Sequence, residues 1–351
     1  MTTETEAASV RPSVAYSWQQ AQWQRLADLH RDRRLPHALM LAGPAGTGKR
    51  HFADCLAALL LCLSPVNQVA CGRCKGCDLV RAGTHPDLLM LQPEEKSRVI
   101  KISQVREATD FLAKTGQQGG RKVALIQPAE ALNVNAANAL LKSLEEPAGD
   151  TTLILVSHAP SQVMATIRSR CQLVDFPIPE TSVSLAWLAP LVTGHKPEYL
   201  LHCAGGAPVA ARDLLQGDVL EQRQELAGWL QAIGQARISP LDVAAKLSGD
   251  PLQTVEWMLQ WVQAGIRAAV TGVDEGLNEV EAPLLEALAA VPEQIGFRFM
   301  DKLMQLKRQL LSNVALNKQL LQEELMLDWQ ALMKQSALLQ QSRQQMVNGL
   351  L

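Results

Sequence analysis

Gly43-Pro44-Ala45-Gly46-Thr47-Gly48-Lys49-Arg50 is the stretch that decides the fold. The apolar run Ala38-Leu39-Met40-Leu41-Ala42 before it reads as a buried strand, and Phe52, Leu56, Leu59, Leu60 and Leu63 follow at helical spacing. Strand, glycine-rich turn, lysine and helix is the layout of a phosphate-cradling loop. In such a loop backbone N–H groups and a helix N-terminus face the phosphates, and the lysine neutralises their outer charge. Gly43, Gly46, Gly48 and Lys49 are therefore the candidate nucleotide-contacting residues. The residue after the lysine breaks the pattern: a Ser or Thr hydroxyl would hold Mg²⁺ there, and this chain has Arg50.

A second metal ligand is missing as well. An ATPase holds Mg²⁺ with an acidic residue at the end of a neighbouring strand, usually beside another acid that orients water. The matching apolar run, Val123-Ala124-Leu125-Ile126, leads into Gln127-Pro128-Ala129-Glu130. Gln127 carries no charge, Pro128 replaces the second acid, and Glu130 comes several residues late. Hydrolysis by this chain alone is not expected, whereas binding of ATP or ADP remains open through Lys49 and the glycines.

Further apolar runs at 87–91, 122–126, 152–156 and 171–176 read as strands, alternating with helical segments at 18–29, 103–114, 135–146 and 161–168. Ser103 and Ser161 are the expected N-caps of two of these helices. Continuous apolar strands alternating with helices predict a mostly parallel sheet covered on both faces, an α/β domain. Pro177 and Pro179 mark its end. Short helical segments follow to about Gln216, interrupted by Gly205-Gly206 and Pro208, and from Asp218 onward the pattern is all helical. Asp250-Pro251 opens one helix with an N-cap and an N1 proline, and amphipathic helices are expected at 295–311 and 316–333. Residues 1–15 are polar and expected to fray, and the Gln-rich tail after Lys334 reads as a helix end.

A chain of 351 residues exceeds one ordinary core, so two or three domains are expected. The formal net charge of −2 excludes overall attraction to nucleic acid or anionic membrane as the organising principle. No apolar run has the length of a membrane span, and the N-terminus lacks the basic start and apolar stretch of a signal peptide, so the cytoplasm is expected.

Cytoplasmic context makes seven cysteines a poor disulfide framework. Cys62, Cys71, Cys74 and Cys77 are clustered, with short ligand pairs that can wrap one tetrahedral ion. Four thiolates point to a structural Zn²⁺ with no open position for water. Gly72 and Gly76 allow the tight turns that aim the sulfurs. Cys55, Cys171 and Cys203 read as buried apolar residues. Glu145 and Glu146 point about 100° apart on a helix, so they read as a solvated or interface helix end rather than a catalytic pair. Arg168 and Arg170 in Thr166-Ile167-Arg168-Ser169-Arg170-Cys171 are either surface charges or an arginine supplied in trans to a neighbour's nucleotide.

Several motifs together carry a resemblance: His37-Ala38-Leu39-Met40-Leu41, Cys71-Gly72-Arg73-Cys74-Lys75-Gly76-Cys77, Ala82-Gly83-Thr84-His85-Pro86-Asp87, the run from Asn135 to Pro147, and Arg168 to Cys171. The chain resembles the AAA+ clamp-loader subunits of bacterial DNA polymerase III from about Trp18 to Trp329. Arg50 and Gln127-Pro128 align it with the non-hydrolysing member rather than the ATP-hydrolysing gamma/tau subunit.

The resemblance implies a nucleotide-binding-type domain at 1–177 with the zinc module at 62–77, a helical lid at 178–216 and a C-terminal helical collar at 217–351. It implies Cys62, Cys71, Cys74 and Cys77 as zinc ligands. Arg170 becomes the arginine finger for ATP on the adjacent gamma/tau subunit, and Ser157 the sensor-one position. The sensor-two arginine would fall near Val209 and is missing. Implied partners are gamma/tau and delta in a hetero-pentameric ring, with the sliding clamp and primed DNA reached through that complex. The implied role lies in replication, within a DNA-directed DNA polymerase (nucleotidyltransferase) holoenzyme. A gamma/tau-like ATPase is the alternative. A zinc-dependent nucleic-acid-binding module is a third, which the near-neutral charge weighs against.

Overall fold

A computed structural model describes residues 14–94, 97–118, 120–247, 249–272, 280–311 and 317–348, with side chains to 338. The fraying expected before residue 14, Gly119, and the expected helix start at Leu316 lie outside the described residues. Packing divides the chain into two units. One comprises the described residues of Met1–Ser184 with Ala207–Ala210, the other those of Leu185–Gly206 with Ala211–Leu351.

In the first unit the elements follow in the order α1 (Gln20–Arg31), β1 (Ala38–Ala42), α2 (Lys49–Leu60), α3 (Lys75–Arg81), β2 (Leu88–Leu91), α4 (Ile102–Ala113), β3 (Arg121–Ile126), α5 (Val134–Glu145), β4 (Asp150–Ser157), α6 (Ala165–Arg168) and β5 (Gln172–Asp175). The five strands form one sheet in the order β2-β3-β4-β1-β5, every pairing parallel. Thus β1 lies inside the sheet, with Met40 opposite Leu155 of β4 and Leu173 of β5.

Its period-2 alternation feeds two cores. Ala38, Met40 and Ala42 join Val105, Ala108 and Leu112 of α4 and Ala136, Leu140 and Leu144 of α5 on one face. Leu39 and Leu41 join Trp23 and Leu26 of α1 and Phe52, Leu56 and Leu59 of α2 on the other. A strand buried on both faces must be apolar at every position, which is why β1 reads as an unbroken run rather than an alternating one.

Two capping expectations are corrected. Ser103 lies inside α4, whose N-terminus is closed by the Gln104 side chain accepting from the Lys101 N–H at 2.9 Å. Ser161 lies inside a short 3₁₀ turn, Pro160–Gln162, and α6 begins later. At the first place Lys101 takes the N-cap position two residues earlier, and at the second a 3₁₀ turn takes up the serine. The expected asparagine-bearing segment is capped by Asn133, whose Oδ1 accepts from the Ala136 N–H at 2.8 Å, so α5 starts at Val134.

Helices α7 (Thr181–Leu188), α8 (Pro197–Cys203) and α9 (Pro208–Asp213) follow, then α10 (Val219–Gly234), α11 (Pro240–Lys246), α12 (Pro251–Thr271), α13 (Ala282–Ala289), α14 (Glu293–Leu311) and α15 (Lys318–Asn348). Asp250 caps α12 as the sequence indicated, accepting from the Leu252 N–H at 3.2 Å. The core of this second unit gathers Leu226, Leu230, Met258, Trp261, Leu284, Leu303, Met326 and Trp329. Trp329 donates its indole N–H to the Leu230 carbonyl at 2.8 Å, so its polar edge is satisfied inside the core. No helix among the described residues is long and apolar enough to cross a membrane.

One buried ion pair sits in this unit. Arg223 Nε donates to Glu281 Oε1 at 2.6 Å with both side chains fully buried, Gln260 Oε1 accepts from Arg223 Nη1 at 2.8 Å, and the guanidinium lies over Trp261. Truncating one partner leaves an uncompensated buried charge. Glu281→Ala is therefore expected to destabilise this unit by about 3–5 kcal/mol. Denaturant unfolding followed by tryptophan fluorescence checks it, and a shift below about 1 kcal/mol would contradict the buried pairing.

Candidate functional site

The phosphate-type loop spans the end of β1 and the start of α2, as its sequence dictates. Gly48 takes a left-handed backbone, φ 86°, at the N-cap of α2. Aromatic atoms of Tyr16 lie within 2.7 Å of where a Gly48 Cβ would stand, so glycine is required there by conformation and by space. Lys49 is 2% exposed. Its ammonium donates to the carbonyls of Gly43 at 2.7 Å and Pro44 at 2.5 Å, with a longer contact to Thr47 Oγ1. Burial pushes the amine down to about 8, against the opposing pull of the Glu130 carboxylate.

Other groups of the same unit cover the loop. Trp18 Nε1 and Gln19 Nε2 both donate to the Thr47 carbonyl, at 3.0 and 2.9 Å. Tyr16 stacks on Trp18 with ring centroids 4.6 Å apart. The Val209 N–H donates to the Gly46 carbonyl at 3.0 Å, and the Cβ atoms of Ala207 and Ala210 occupy the space in front of Gly46. The position resembling sensor two thus meets the loop through its backbone. These covering residues carry no motif, and nothing local in the sequence marks them.

The two positions that would hold Mg²⁺ are joined to each other. Arg50 Nη1 donates to Gln127 Oε1 at 3.1 Å while Arg50 Nε donates to the Asp54 carboxylate at 3.0 Å. A fixed guanidinium where a divalent cation would sit opposes that cation by simple Coulomb repulsion. The donor set does not fit magnesium, and no step through a metal–nucleotide complex follows from it.

Glu130, late in sequence, is nonetheless brought to the loop. Its Oε1 accepts from the His158 N–H at 3.0 Å. The buried atoms Glu130 Oε2, Ser157 Oγ and His158 Nδ1 have no hydrogen-bond partner among the described residues. Burial and then the Lys49 charge hold the His158 imidazole below its usual value.

The second candidate site follows α2 directly. The sulfurs of Cys62, Cys71, Cys74 and Cys77 all lie within 4.8 Å of one another. Cys62 and Cys74 Sγ are 3.9 Å apart, as are Cys71 and Cys77 Sγ. A tetrahedron of sulfurs about 2.3 Å from one ion has edges of about 3.8 Å, so the set fits a four-coordinate metal. Backbone N–H groups reinforce the anionic form: Cys71 N donates to Cys62 Sγ at 3.2 Å and Cys77 N to Cys74 Sγ at 3.4 Å, the latter at the N-cap of α3. A hydrogen bond from Ser64 draws the Cys71 thiol down to about 6, whereas burial pushes Cys77 up to about 12. Gly72 makes the expected turn at φ 72°; Gly76 is needed instead because the Leu61 carbonyl lies against its Cα, and it sits inside α3. Cys55 and Cys203 are buried and Cys171 half-buried, as expected of apolar packing.

The third element is the arginine pair after α6. Arg168 Nη1 donates to the Pro160 carbonyl at 3.0 Å. Arg170 reaches Glu145, its Nε 2.7 Å and its Nη2 2.5 Å from Oε1, and donates from Nη1 to the Thr166 carbonyl at 2.9 Å. Among the described residues none of these bonds is to the chain's own phosphate loop.

A parallel sheet with a glycine-rich loop between β1 and α2, followed by helices, defines a P-loop-type α/β protein with a helical C-terminal part. A family model described as DNA polymerase III, delta subunit, matches residues 18–180, and one described as its C-terminal part matches residues 217–331. The DNA polymerase III subunit delta' of Pseudomonas aeruginosa is 41% identical over 325 residues, covering 90% of this chain and 98% of that protein. The Yersinia pestis delta' subunit is 32% identical over 327 residues, covering 90% and 95%. The chain belongs to the family of DNA polymerase III delta' subunits. A solved gamma subunit-related protein from Thermotoga maritima matches at 16% identity with a TM-score of 0.46, covering 89% of this chain and 99% of that one.

The lysine gives a pH test with a definite sign. A folded-state value near 8 against about 10.5 unfolded means the unfolded chain holds more protons between these limits, so stability rises with pH across that window. Relative to Lys49→Met, the wild type is expected to gain about 3 kcal/mol between pH 8 and 10.5, from 1.36 kcal/mol per unit. Parallel denaturant midpoints of the two proteins over that range would refute it.

Proposed function

We propose that the chain acts as the delta' subunit of a DNA polymerase III clamp loader, a non-hydrolysing AAA+ subunit that helps load the sliding clamp onto primed DNA. The observation that carries the non-hydrolysing part is the Arg50–Gln127 hydrogen bond at 3.1 Å, which occupies both metal-ligand positions. In this reading the phosphate loop serves as scaffold, closed on its own lysine. Gamma/tau and delta are the partners in a five-membered ring, with residues 178–216 as lid and 217–351 as the collar through which subunits assemble. Arg170 supplies the guanidinium that stabilises transition-state charge on a neighbour's ATP.

A gamma/tau-like ATPase has one supporting observation. The tau/gamma subunit of Haemophilus influenzae is 34% identical over 146 residues, covering 42% of this chain but 21% of that protein. The delta' relatives extend over far more of both chains, and the Arg50–Gln127 pair removes the metal site such an enzyme needs. Purified chain is expected to show no ATP turnover without partners.

The four cysteines are proposed to hold one structural Zn²⁺. The ion supplies four bonds that fold a loop poor in apolar residues, and the chain's own N–H groups orient the sulfurs. Metal analysis is expected to return about one Zn per chain, and Cys74→Ser to lose it, as a four-sulfur site requires. Metal-free wild-type protein with full clamp-loading activity overturns the assignment.

Arg170→Ala is expected to leave assembly with gamma/tau and delta intact while lowering the DNA- and clamp-stimulated ATPase of the reconstituted complex. A finger contributes about 10³–10⁵ in kcat at the site it serves, so a loss of roughly tenfold or more at that site is the expected scale. An unchanged ATPase removes the arginine-finger role.

A further inference from the structure

Glu145 is the last residue of α5, at the end where the helix carries its partial negative charge. A carboxylate is locally disfavoured there, and a cation is favoured. Local rules broken without local compensation mark positions held for another reason. Here the reason lies 25 residues away along the chain: both the Nε and the Nη2 edge of Arg170 meet Glu145 Oε1, at 2.7 and 2.5 Å.

The contact fixes more than charge. Glu145 grips the side edge of the guanidinium, and the Thr166 carbonyl takes Nη1 at 2.9 Å. Three of the five N–H donors are thereby used from within the chain, while the contact of Nη1 to Ser169 Oγ is long, 3.5 Å. The remaining donors sit at the far end of a side chain still 35% exposed. Arginine has many rotamers, and a group that acts only in a transition state loses rate for each one it must give up on arrival. A guanidinium clamped along one edge and open at its tip is already oriented.

We infer that Glu145 is the positioning residue for Arg170, holding its guanidinium extended toward the phosphates of a nucleotide on an adjacent subunit. This rests on the arginine-finger reading above. Glu145 touches neither nucleotide nor reacting atoms; it acts through Arg170. The pair is charge-assisted and half-exposed, so its effect falls on orientation rather than on folding.

The test uses the complete complex reconstituted with gamma/tau and delta, carrying wild type, Glu145→Ala, Glu145→Gln, Glu145→Asp, Arg170→Ala, or Glu145→Ala with Arg170→Ala. Assembly is followed by size exclusion, and kcat and KM for ATP are measured with clamp and primed DNA. Glu145→Ala is expected to lower kcat roughly three- to tenfold with KM unchanged, the signature of an interaction realised in the transition state. Glu145→Asp should recover most of the loss, and the double variant should fall no lower than Arg170→Ala alone. If Arg170→Ala lowers kcat but Glu145→Ala equals or exceeds wild type, the positioning role is overturned and the finger stands. If Arg170→Ala itself is neutral, both fall. A loss of rate matched by loss of assembled complex in both Glu145→Ala and Glu145→Gln also overturns positioning, since the glutamate would then serve assembly.

Discussion

A buried ammonium must find acceptors, and around Lys49 the first unit supplies them from its own backbone. In a nucleotide-binding loop the phosphates neutralise the lysine. Here the carbonyls of Gly43 and Pro44 accept its hydrogen bonds and the Glu130 carboxylate supplies the opposing charge. The rest of the neighbourhood is built on that closed loop: Trp18 and Gln19 bind its Thr47 carbonyl, Tyr16 covers Gly48, and the Val209 amide seals Gly46.

The same logic explains why the loop persists after its metal ligands are gone. Its turn is the only route by which β1, buried on both faces, hands the chain to α2, whose Phe52, Leu56 and Leu59 complete one core. Arg50 and Gln127 stand where a hydroxyl and an acid would hold magnesium, and their side chains hydrogen-bond to each other while Arg50 also pairs with Asp54. Helix α2 then runs directly into the cysteine module. Cys62 lies two residues beyond the helix, and the Leu61 carbonyl packs on Gly76, so the last turn of α2 sets where the four sulfurs converge.

Much of this was legible along the chain because it is written locally. A short unbroken apolar run that ends at a glycine-rich turn reads as a strand covered on both faces, and a CxxCxxC spacing brings sulfurs together within a few residues of backbone. What stayed hidden depends on contacts across long stretches of chain. Glu130 follows its strand too late to look like a loop residue, yet the Pro128–Ala131 turn folds it back so that its carboxylate meets the His158 amide and faces Lys49. Ser103 and Ser161 looked like caps because serine favours that role, but α4 already starts after Lys101 and Ser161 lies in a 3₁₀ turn. Glu145 read as a solvated or interface helix end; its partner, Arg170, is brought beside it only when α5 and the segment after α6 lie on one side of the sheet.

Charge therefore has opposite fates in two parts of one unit. At the loop, cations are turned inward: Lys49 donates to the Gly43 and Pro44 carbonyls, and Arg50 to Asp54 and Gln127. Past α6 a cation is turned outward, with Arg170 gripped along one edge and open at its tip. An exposed ion pair adds little to stability, so the Arg170–Glu145 contact is not explained by folding alone. An oriented guanidinium on the surface, beside a loop whose metal-ligand positions are bonded to each other, is the arrangement that the proposed arginine-finger role requires.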